Sequence, residues 1–197
     1  MDINSTLVKE LREKTNAGMM DCKAALVAAK GDLKTAVEIL RKKGLSIAAK
    51  KVSRQAKDGV IGSYVHMAGK IGVLVEVNCE TDFVAKNQIF QELVKDIAMQ
   101  VTASHPRYVR REDVPMEIVA KEKEILASQI KDKPAGVVDK IVQGKLDKFF
   151  QETCLLEQPF VKDGNHTIRE LLNSKIAQIG ENIVIRRFVR FALGEEI

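Results

Sequence analysis

Three carboxylates that lie close together in the sequence, Glu76, Glu80 and Asp82, are the first residues whose types and spacing could do chemistry. A pair of such groups can act as general acid and general base on one substrate. No surrounding residue pattern marks a substrate pocket. We therefore favour their interpretation as solvated surface acids over catalysis.

Gly69 and Lys70 resemble part of a phosphate-binding loop, which cradles a nucleotide and places a Ser or Thr hydroxyl on Mg²⁺. Ile71 stands where that hydroxyl is required. The GxGxxG, HExxH and GxSxG motifs of dinucleotide-binding proteins, metalloproteases and serine hydrolases do not occur in the sequence. The sequence thus predicts neither direct nucleotide binding nor an enzyme.

Metal-binding and redox-active patterns are missing as well. The histidines and cysteines are widely spaced, at His66, His105 and His166 and at Cys22, Cys79 and Cys154. Neither set has the spacing of metal ligands, and the cysteines form no CxxC pair. We expect no metal, no cofactor and no disulfide, and reduced thiols typical of a cytoplasmic protein.

The chain of 197 residues carries a net charge of +5, which admits nucleic acid or an acidic protein as a partner. The absence of Trp and the presence of only two Tyr argue against single-stranded nucleic acid, whose bases stack on aromatic side chains. No apolar run approaches the roughly 18 residues of a membrane helix, and the first residues are too acidic for a targeting peptide. We expect no membrane contact and a cytoplasmic location.

Residues 1–44 have the pattern of three short helices in a small bundle. In the second and third helices apolar residues follow an i, i+3, i+4, i+7 spacing, at Cys22, Ala25, Leu26 and Ala29 and at Leu33, Ala36, Val37 and Leu40. Asp32 is placed to cap the third helix, and Gly31 and Gly44 are expected to end the second and the third. The sequence predicts a three-helix module over this range.

A basic linker helix is predicted over residues 45–57. The stretch 41–57 contains seven basic and no acidic residues. It is either a solvated linker or an arm that docks on an acidic partner.

Residues 58–197 are predicted to form an α+β core domain. Strand-like alternation in VIGSYVHM and IGVLVEVN indicates a β-hairpin, and a helical hairpin is expected over 114–153. After the loop QPFVKDGN and a last helix ended by Gly180, a final strand completes a three-stranded antiparallel sheet packed by helices. Its apolar residues are predicted on one face, at Ile183, Ile185, Val189, Phe191 and Leu193.

The segment NCETDFVAKN joins the hairpin to the following helix. Thr81 or Asp82 is placed to cap a helix there, and Phe83 follows directly. The ring of Phe83 either enters the core, as most Phe rings do, or points outward.

Three separated segments carry a resemblance: LREKTNAGMMDCKAAL at 11–26, VLVEVNCETDFVAKN at 73–87 and IGENIVIRRFVRFALG at 179–194. In this order they resemble the translation elongation factor Ts family, the guanine nucleotide exchange factors of bacterial elongation factor Tu. The resemblance covers essentially the whole chain. Longer members have two copies of the α/β core, so this chain is similar to the short, single-core form.

The resemblance implies a set of partner contacts. The first 44 residues would be a ubiquitin-associated-like module that grips the nucleotide-binding domain of elongation factor Tu. The TDFV turn would insert between partner helices beside the Mg²⁺ and phosphate site. The residues that match the family's contacts are Arg12, Met19, Met20, Lys23 and Lys51 for the module and linker, Thr81, Asp82, Phe83 and Val84 for the turn, and His66 and Gly180 for a second contact of the core.

Nucleotide exchange by protein contact is therefore the first functional hypothesis. A basic nucleic-acid-binding protein and a ubiquitin-associated-like scaffold without exchange activity are the alternatives. Because GSYVH and TDFV lie in one core, about 20 residues apart, one copy is not expected to reach both partner surfaces. We predict a non-covalent two-fold homodimer paired through the final strand, in a 2:2 complex with elongation factor Tu, against the alternative of a monomer.

Overall fold

A computed structural model of the chain describes residues 4–15, 17–130 and 134–195. Its helices are α1 (Ser5–Thr15), α2 (Met19–Ala28), α3 (Leu33–Lys51), α4 (Asp82–Ala85), α5 (Gln88–Ser104), α6 (Met116–Ser128), α7 (Ala135–Thr153) and α8 (Ile168–Ile179). Its strands are β1 (Asp58–His66), β2 (Ile71–Cys79), β3 (Pro159–Phe160), β4 (Asp163–Thr167) and β5 (Val184–Ala192).

The predicted α+β class and the three-stranded antiparallel sheet are confirmed. The strand order is β1-β2-β5, so the β-hairpin is followed by the last strand at the sheet edge. Strands β3 and β4 form a separate antiparallel pair, in which Pro159 lies opposite Thr167 and Phe160 opposite Asp163. This pair replaces the loop predicted over QPFVKDGN, because strands of two and five residues are too short to show an alternating pattern in the sequence.

The described residues divide into two compact units. The first unit contains those within Met1–Val60, Val77–Leu93 and Glu170–Val184, and the second contains those within Ile61–Glu76, Val94–Arg169 and Ile185–Ile197.

The three-helix module of the first unit has its own small core. The predicted inward faces of α2 and α3 are confirmed, because their apolar residues pack with α1 in one buried cluster of Leu11, Cys22, Ala25, Leu26, Ala29, Ala36 and Leu40. The carboxylate of Asp32 accepts a hydrogen bond from the Thr35 backbone N–H at 2.7 Å, as the predicted cap requires. Gly31 has a φ of +88° after α2, which confirms it as a helix end.

The predicted helix end at Gly44 is wrong. Helix α3 continues through this glycine to Lys51, so residues 45–51 of the predicted linker helix belong to α3. Residues 52–57, the rest of that prediction, are not helical. A β-carbon placed on Gly44 would lie 3.8 Å from Cβ of Ala177 in α8, which shows that α3 packs closely on α8 there. The Arg41 guanidinium also pairs with Glu170 of α8. These contacts offset part of the cost of about 1 kcal/mol that glycine brings to a helix interior.

Strand β2 alternates between a buried and an exposed face. Val73, Val75 and Val77 are buried, whereas Leu74 is exposed. In β1, a β-carbon on Gly62 would lie 2.3 Å from Cγ1 of Val94 in α5, so this position requires glycine for close helix packing.

The predicted single apolar face of the final strand is wrong. Ile183 and Ile185 are buried, but Val189, Phe191 and Leu193 are exposed. The alternation shifts by one residue at Arg186 and Arg187, whose side chains are both exposed and both pair with Glu76. Val189, Phe191 and Leu193 therefore lie on the outer face, whereas Phe188 is half-buried.

The predicted helical hairpin is confirmed in the second unit, where α6 and α7 pack around a buried cluster of Val114, Leu126, Leu146, Phe150 and Cys154. The Arg111 guanidinium lies 4.8 Å from the centre of the Phe150 ring and pairs with Asp147 and Glu157. No helix in the described part of the chain is both long and apolar enough to cross a membrane.

Candidate partner-binding site

The TDFV turn begins two residues after β2 and forms the single-turn helix α4. Thr81 is its N-cap, with extended backbone, and its Oγ1 accepts a hydrogen bond from the Val84 backbone N–H at 3.4 Å. Asp82 is the first helical residue, so its alternative assignment as the cap is wrong. Its carboxylate accepts a hydrogen bond from the Lys86 ammonium at 2.8 Å, one helical turn later.

This ion pair changes the acidity of Asp82. The hydrogen bond from Lys86 and the charge of its ammonium lower the pKa of the Asp82 carboxyl below its usual value. The exposed start of the turn therefore carries an ionised carboxylate at neutral pH.

Phe83 lies on the surface with 83% of its area exposed. Val84 is half-buried, Ala85 is buried, and Phe90, seven residues after Phe83, is wholly buried. The interpretation of Phe83 as a core residue is therefore wrong, and the expected outward orientation is confirmed. A large apolar ring on a surface of polar neighbours is a candidate contact for a protein partner.

Glu181 holds the turn from a distant part of the sequence, and sequence reasoning did not select it. Its Oε2 accepts hydrogen bonds from the backbone N–H groups of Glu80 at 3.0 Å and Thr81 at 3.1 Å. Its Oε1 accepts a hydrogen bond from the Thr81 hydroxyl at 2.7 Å. The only sequence signal for this role is that Glu181 lies in the third segment of the resemblance.

A second set of hydrogen bonds joins the same two segments, with donors on the loop at 180–182 and an acceptor on Glu80. The Glu80 carboxylate accepts a hydrogen bond from the Asn182 backbone N–H at 2.6 Å, and it lies 3.5 Å from the Arg54 guanidinium. The buried Asn182 side chain donates to the Arg54 carbonyl at 2.8 Å. The loop at 180–182 thus bonds both to the residues that precede the turn and to those that follow α3.

Lys51 and Gly180, both predicted to contact a partner, contact one another in the free chain. The half-buried Lys51 donates a hydrogen bond from its ammonium to the Gly180 carbonyl. Gly180 follows α8 with a φ of +86°, a backbone conformation that favours glycine. A cation at this end of a helix also interacts favourably with the helix dipole.

Cys79 lies beneath the turn as a wholly buried thiol. Its Sγ donates a hydrogen bond to the Thr81 carbonyl at 3.2 Å. Burial, together with the nearby Glu181 and Asp58 charges, raises the pKa of this thiol to about 11. The thiol is therefore protonated at neutral pH and acts as a hydrogen-bond donor. Among the residues that the structure describes, no group of three or more His, Cys, Asp or Glu side chains could hold a metal ion.

The predicted contacts of the three-helix module lie on its surface. Met19 and Met20 are 58% and 74% exposed, and Arg12 and Lys23 are exposed too. Met19 and Lys23, four residues apart, lie on the same face of α2, while Cys22 between them is buried. Exposed methionines, whose side chains are flexible, are common at protein-binding surfaces.

His66 belongs to the second unit, unlike the turn and the three-helix module. It is the last residue of β1 and is exposed. Its Nδ1 lies 3.4 Å from the Tyr64 hydroxyl, and the two rings stack with centres 5.9 Å apart. The structure therefore groups Thr81, Lys51 and Gly180 through the loop at 180–182, with His66 outside that group.

Comparisons with known proteins find similar sequences that span almost the whole chain. Residues 2–195 match the family described as Elongation factor TS. The chain is 62% identical over 195 residues to the Elongation factor Ts of Carboxydothermus hydrogenoformans, covering 98% of this chain and 90% of the relative. It is 59% identical over 196 residues to the Elongation factor Ts of Thermodesulfovibrio yellowstonii, covering 99% and 98% of the two chains.

Proposed function

We propose, because the chain belongs to the elongation factor Ts family, that it is a guanine nucleotide exchange factor for elongation factor Tu in protein synthesis. The observation that carries the mechanism is the ring of Phe83, exposed on a turn whose backbone is held by hydrogen bonds. A ring presented in this way can enter a partner without first leaving a core.

In the proposed mechanism, Asp82 and Phe83 insert between helices of elongation factor Tu beside its Mg²⁺ and phosphate site. Burying a fully exposed Phe side chain contributes about 2 kcal/mol. That free energy offsets part of the cost of moving the partner's helices. Because the residues around a bound Mg²⁺ orient its ligands, their displacement weakens the hold on GDP.

The three-helix module is proposed to anchor the complex. Arg12, Met19, Met20 and Lys23 form its contact surface on the nucleotide-binding domain of elongation factor Tu. The bond between Lys51 and Gly180 holds the loop at 180–182, which in turn bonds to the TDFV turn, and both residues also contact the partner. An anchor of this kind keeps the turn near its target while the nucleotide leaves.

Release of GDP follows from linkage in this proposal. If the chain binds the empty partner more tightly than the GDP-bound partner, GDP and the chain weaken each other's binding by the same factor. GTP binding then displaces the chain, and the cellular ratio of GTP to GDP sets the direction. No covalent bond is made or broken, so the protein is not an enzyme in this account, and it needs no cofactor.

A second copy of the chain is proposed to cover the outer face of the sheet. Strands β1, β2 and β5 expose apolar side chains there: Ile61, Val65, Leu74, Val189 and Phe191. Contiguous apolar faces are uncommon on monomers, and one core is not expected to present both His66 and Phe83 to a single partner. The two-fold dimer would supply His66 from one copy and Phe83 from the other, in a 2:2 complex.

The cytoplasm is the proposed location, since elongation factor Tu works there. The three cysteines are buried and free, as expected for a reducing compartment.

Release of labelled GDP from elongation factor Tu, with and without the chain, tests the proposed function. We expect accelerated release that saturates with concentration of the chain. An unchanged release rate would reject exchange activity and leave the scaffold alternative.

Mixed dimers test the shared site. Combining His66→Ala chains with Phe83→Ala chains should restore one intact site per dimer and recover activity above either parent. No recovery would show that the two residues do not act across chains. Sedimentation at micromolar concentration separates dimer from monomer.

A further inference from the structure

The TDFV turn lacks the local residue that completes a helix N-cap. In a capping box, the N-cap hydroxyl bonds to the backbone N–H of the third helical residue, and a Glu or Gln at that position bonds back to the N-cap N–H. Here the third helical residue is Val84, whose side chain cannot accept a hydrogen bond. The Thr81 N–H therefore has no acceptor within its own helix.

Glu181, one hundred residues later, supplies that acceptor. Its carboxylate accepts the Thr81 N–H, the adjacent Glu80 N–H and the Thr81 hydroxyl proton, at 3.1, 3.0 and 2.7 Å. The third bond fixes the rotation of the Thr81 hydroxyl, so that its lone pair can face the Val84 N–H. The capping box is thus completed by tertiary structure.

We infer that Glu181 is a positioning residue for nucleotide exchange, which holds the turn so that Phe83 projects in one orientation. This inference rests on the proposed function of the turn. Because the acceptor comes from Glu181, the third helical position can hold the apolar, half-buried Val84. A local Glu at position 84 would instead place a second carboxylate within the turn, next to Phe83 in sequence.

The surroundings of Glu181 hold its own backbone in place. Gly180 before it receives the Lys51 ammonium, and Asn182 after it bonds to Glu80 and Arg54. The short helix α4, with four residues, has little stability of its own. Its order therefore depends on bonds from outside the helix, and Glu181 makes three of them.

The test measures GDP release from elongation factor Tu against concentration of the chain, for Glu181→Ala, Glu181→Asp and Glu181→Gln. Gln can reproduce the geometry, because its carbonyl accepts the two backbone N–H groups and its amide donates to the Thr81 oxygen. Asp keeps the charge but is one methylene too short. We expect the Ala and Asp variants to lower the maximal rate at least tenfold, with the half-saturating concentration within threefold of wild type. The Gln variant should stay within threefold in both.

Amide hydrogen exchange of the free chain supplies a second readout. The Thr81 and Val84 amides should exchange at least tenfold faster in the Ala and Asp variants and at the wild-type rate in the Gln variant. Asp96→Asn is the matched control, because Asp96 is also a half-buried carboxylate, paired with Lys162 in the second unit. It should change neither the release rate nor these two amides.

Several results would overturn the inference. One is a wild-type maximal rate for Glu181→Ala, and another is an unchanged exchange rate of the Thr81 and Val84 amides in that variant. A third is a higher maximal rate for the Asp variant than for the Gln variant, which would show that the charge of the side chain matters and its length does not. If the Glu181→Ala variant does not fold, the maximal rates of the Gln and Asp variants still test the inference, which requires the Gln variant to be the faster of the two. Phe83→Ala separates the two claims: a wild-type rate for that variant rejects the wedge, whereas the amide data decide the role of Glu181 independently.

Discussion

Phe83 and Phe191 are both exposed aromatic rings, but they lie in different surroundings. Phe83 is a single ring on a one-turn helix, with the polar residues Asp82, Lys86 and Asn87 exposed near it in sequence. Phe191 lies in the edge strand of a sheet whose outer face carries other apolar residues. An isolated ring suits insertion into a partner, whereas a broad flat face suits pairing with a similar face.

The two regions also differ in what holds them. The turn is held by side chains that reach it from elsewhere in the first unit, above all Glu181. The outer face is held by the hydrogen-bonded ladder of the sheet itself. Single substitutions should therefore loosen the turn without unfolding the rest of the first unit, and should change association at the sheet without moving its backbone.

Phe83→Ala should give the largest effect on function. We expect the maximal rate of GDP release to fall about 100-fold, as for a central hot-spot residue, because the inserted ring is lost. The melting temperature should stay within a few degrees of wild type, since the ring is exposed in the free chain. Release kinetics and thermal melting measure the two quantities.

Phe90→Ala is the matched control for that variant. Its ring is wholly buried, so this truncation should cost about 3–5 kcal/mol of folding stability. If Phe83→Ala melts like Phe90→Ala, the contrast between an exposed and a buried ring is wrong.

Phe191→Glu should weaken the proposed dimer at least about 30-fold, because a charge would be buried in an apolar interface. The folding stability should change little, since residue 191 is exposed in a single copy. Sedimentation equilibrium measures the association. Val161→Glu, at another exposed apolar position of the second unit, should leave association unchanged. If the Phe191 variant and wild type have the same association constant, the outer face of the sheet is not the dimer interface.

The helices of the N-terminal module could be predicted from sequence because their information is local. The spacing of Cys22, Ala25, Leu26 and Ala29 gives the buried face of α2 directly, and the structure confirms it. The same local pattern gave a wrong helix end at Gly44, since a glycine after an apolar stripe is typical of a helix end. The contact of α3 with α8, more than one hundred residues later, keeps the helix intact.

At the candidate site, too, the features set by nearby residues could be predicted and those set by distant residues could not. The TDFV segment and the outward orientation of Phe83 could be expected from the resemblance, but Glu181 could not, because its three bonds join residues about one hundred positions apart. The prediction of a single apolar face for the final strand was wrong for a different reason. Its alternation changes at Arg186 and Arg187, and a regular two-residue period cannot predict such a shift.

Met20→Ala should act on binding and not on the maximal rate. We expect the half-saturating concentration for GDP release to rise about tenfold, which corresponds to about 1.4 kcal/mol, because the exposed side chain is proposed to be an anchor. The same titration gives both parameters. Leu26→Ala, buried in the module core, should instead lower the melting temperature. A lower maximal rate for Met20→Ala would contradict the separation of anchor and wedge.

Cys79 should give the smallest effect, seen only at high pH. Its pKa is about 11 in the folded chain against an ordinary 9.0, so folding favours the protonated thiol. The associated stability is present below pH 9 and is lost as the pH rises toward 11. Linkage gives a loss of about 1 kcal/mol between pH 8 and pH 10, measured by urea unfolding of wild type against Cys79→Ala. Equal pH dependence of the two proteins would contradict the buried neutral thiol beneath the turn.

Burial of the Phe83 ring in elongation factor Tu is the central claim, and fluorine NMR tests it most directly. A fluorinated phenylalanine at position 83 reports whether the ring is in solvent. The free chain should show a solvent-exposed signal, nucleotide-free elongation factor Tu should shift it and protect it from solvent, and added GDP should reverse the change. A signal that stays solvent-exposed while the complex forms would contradict the account.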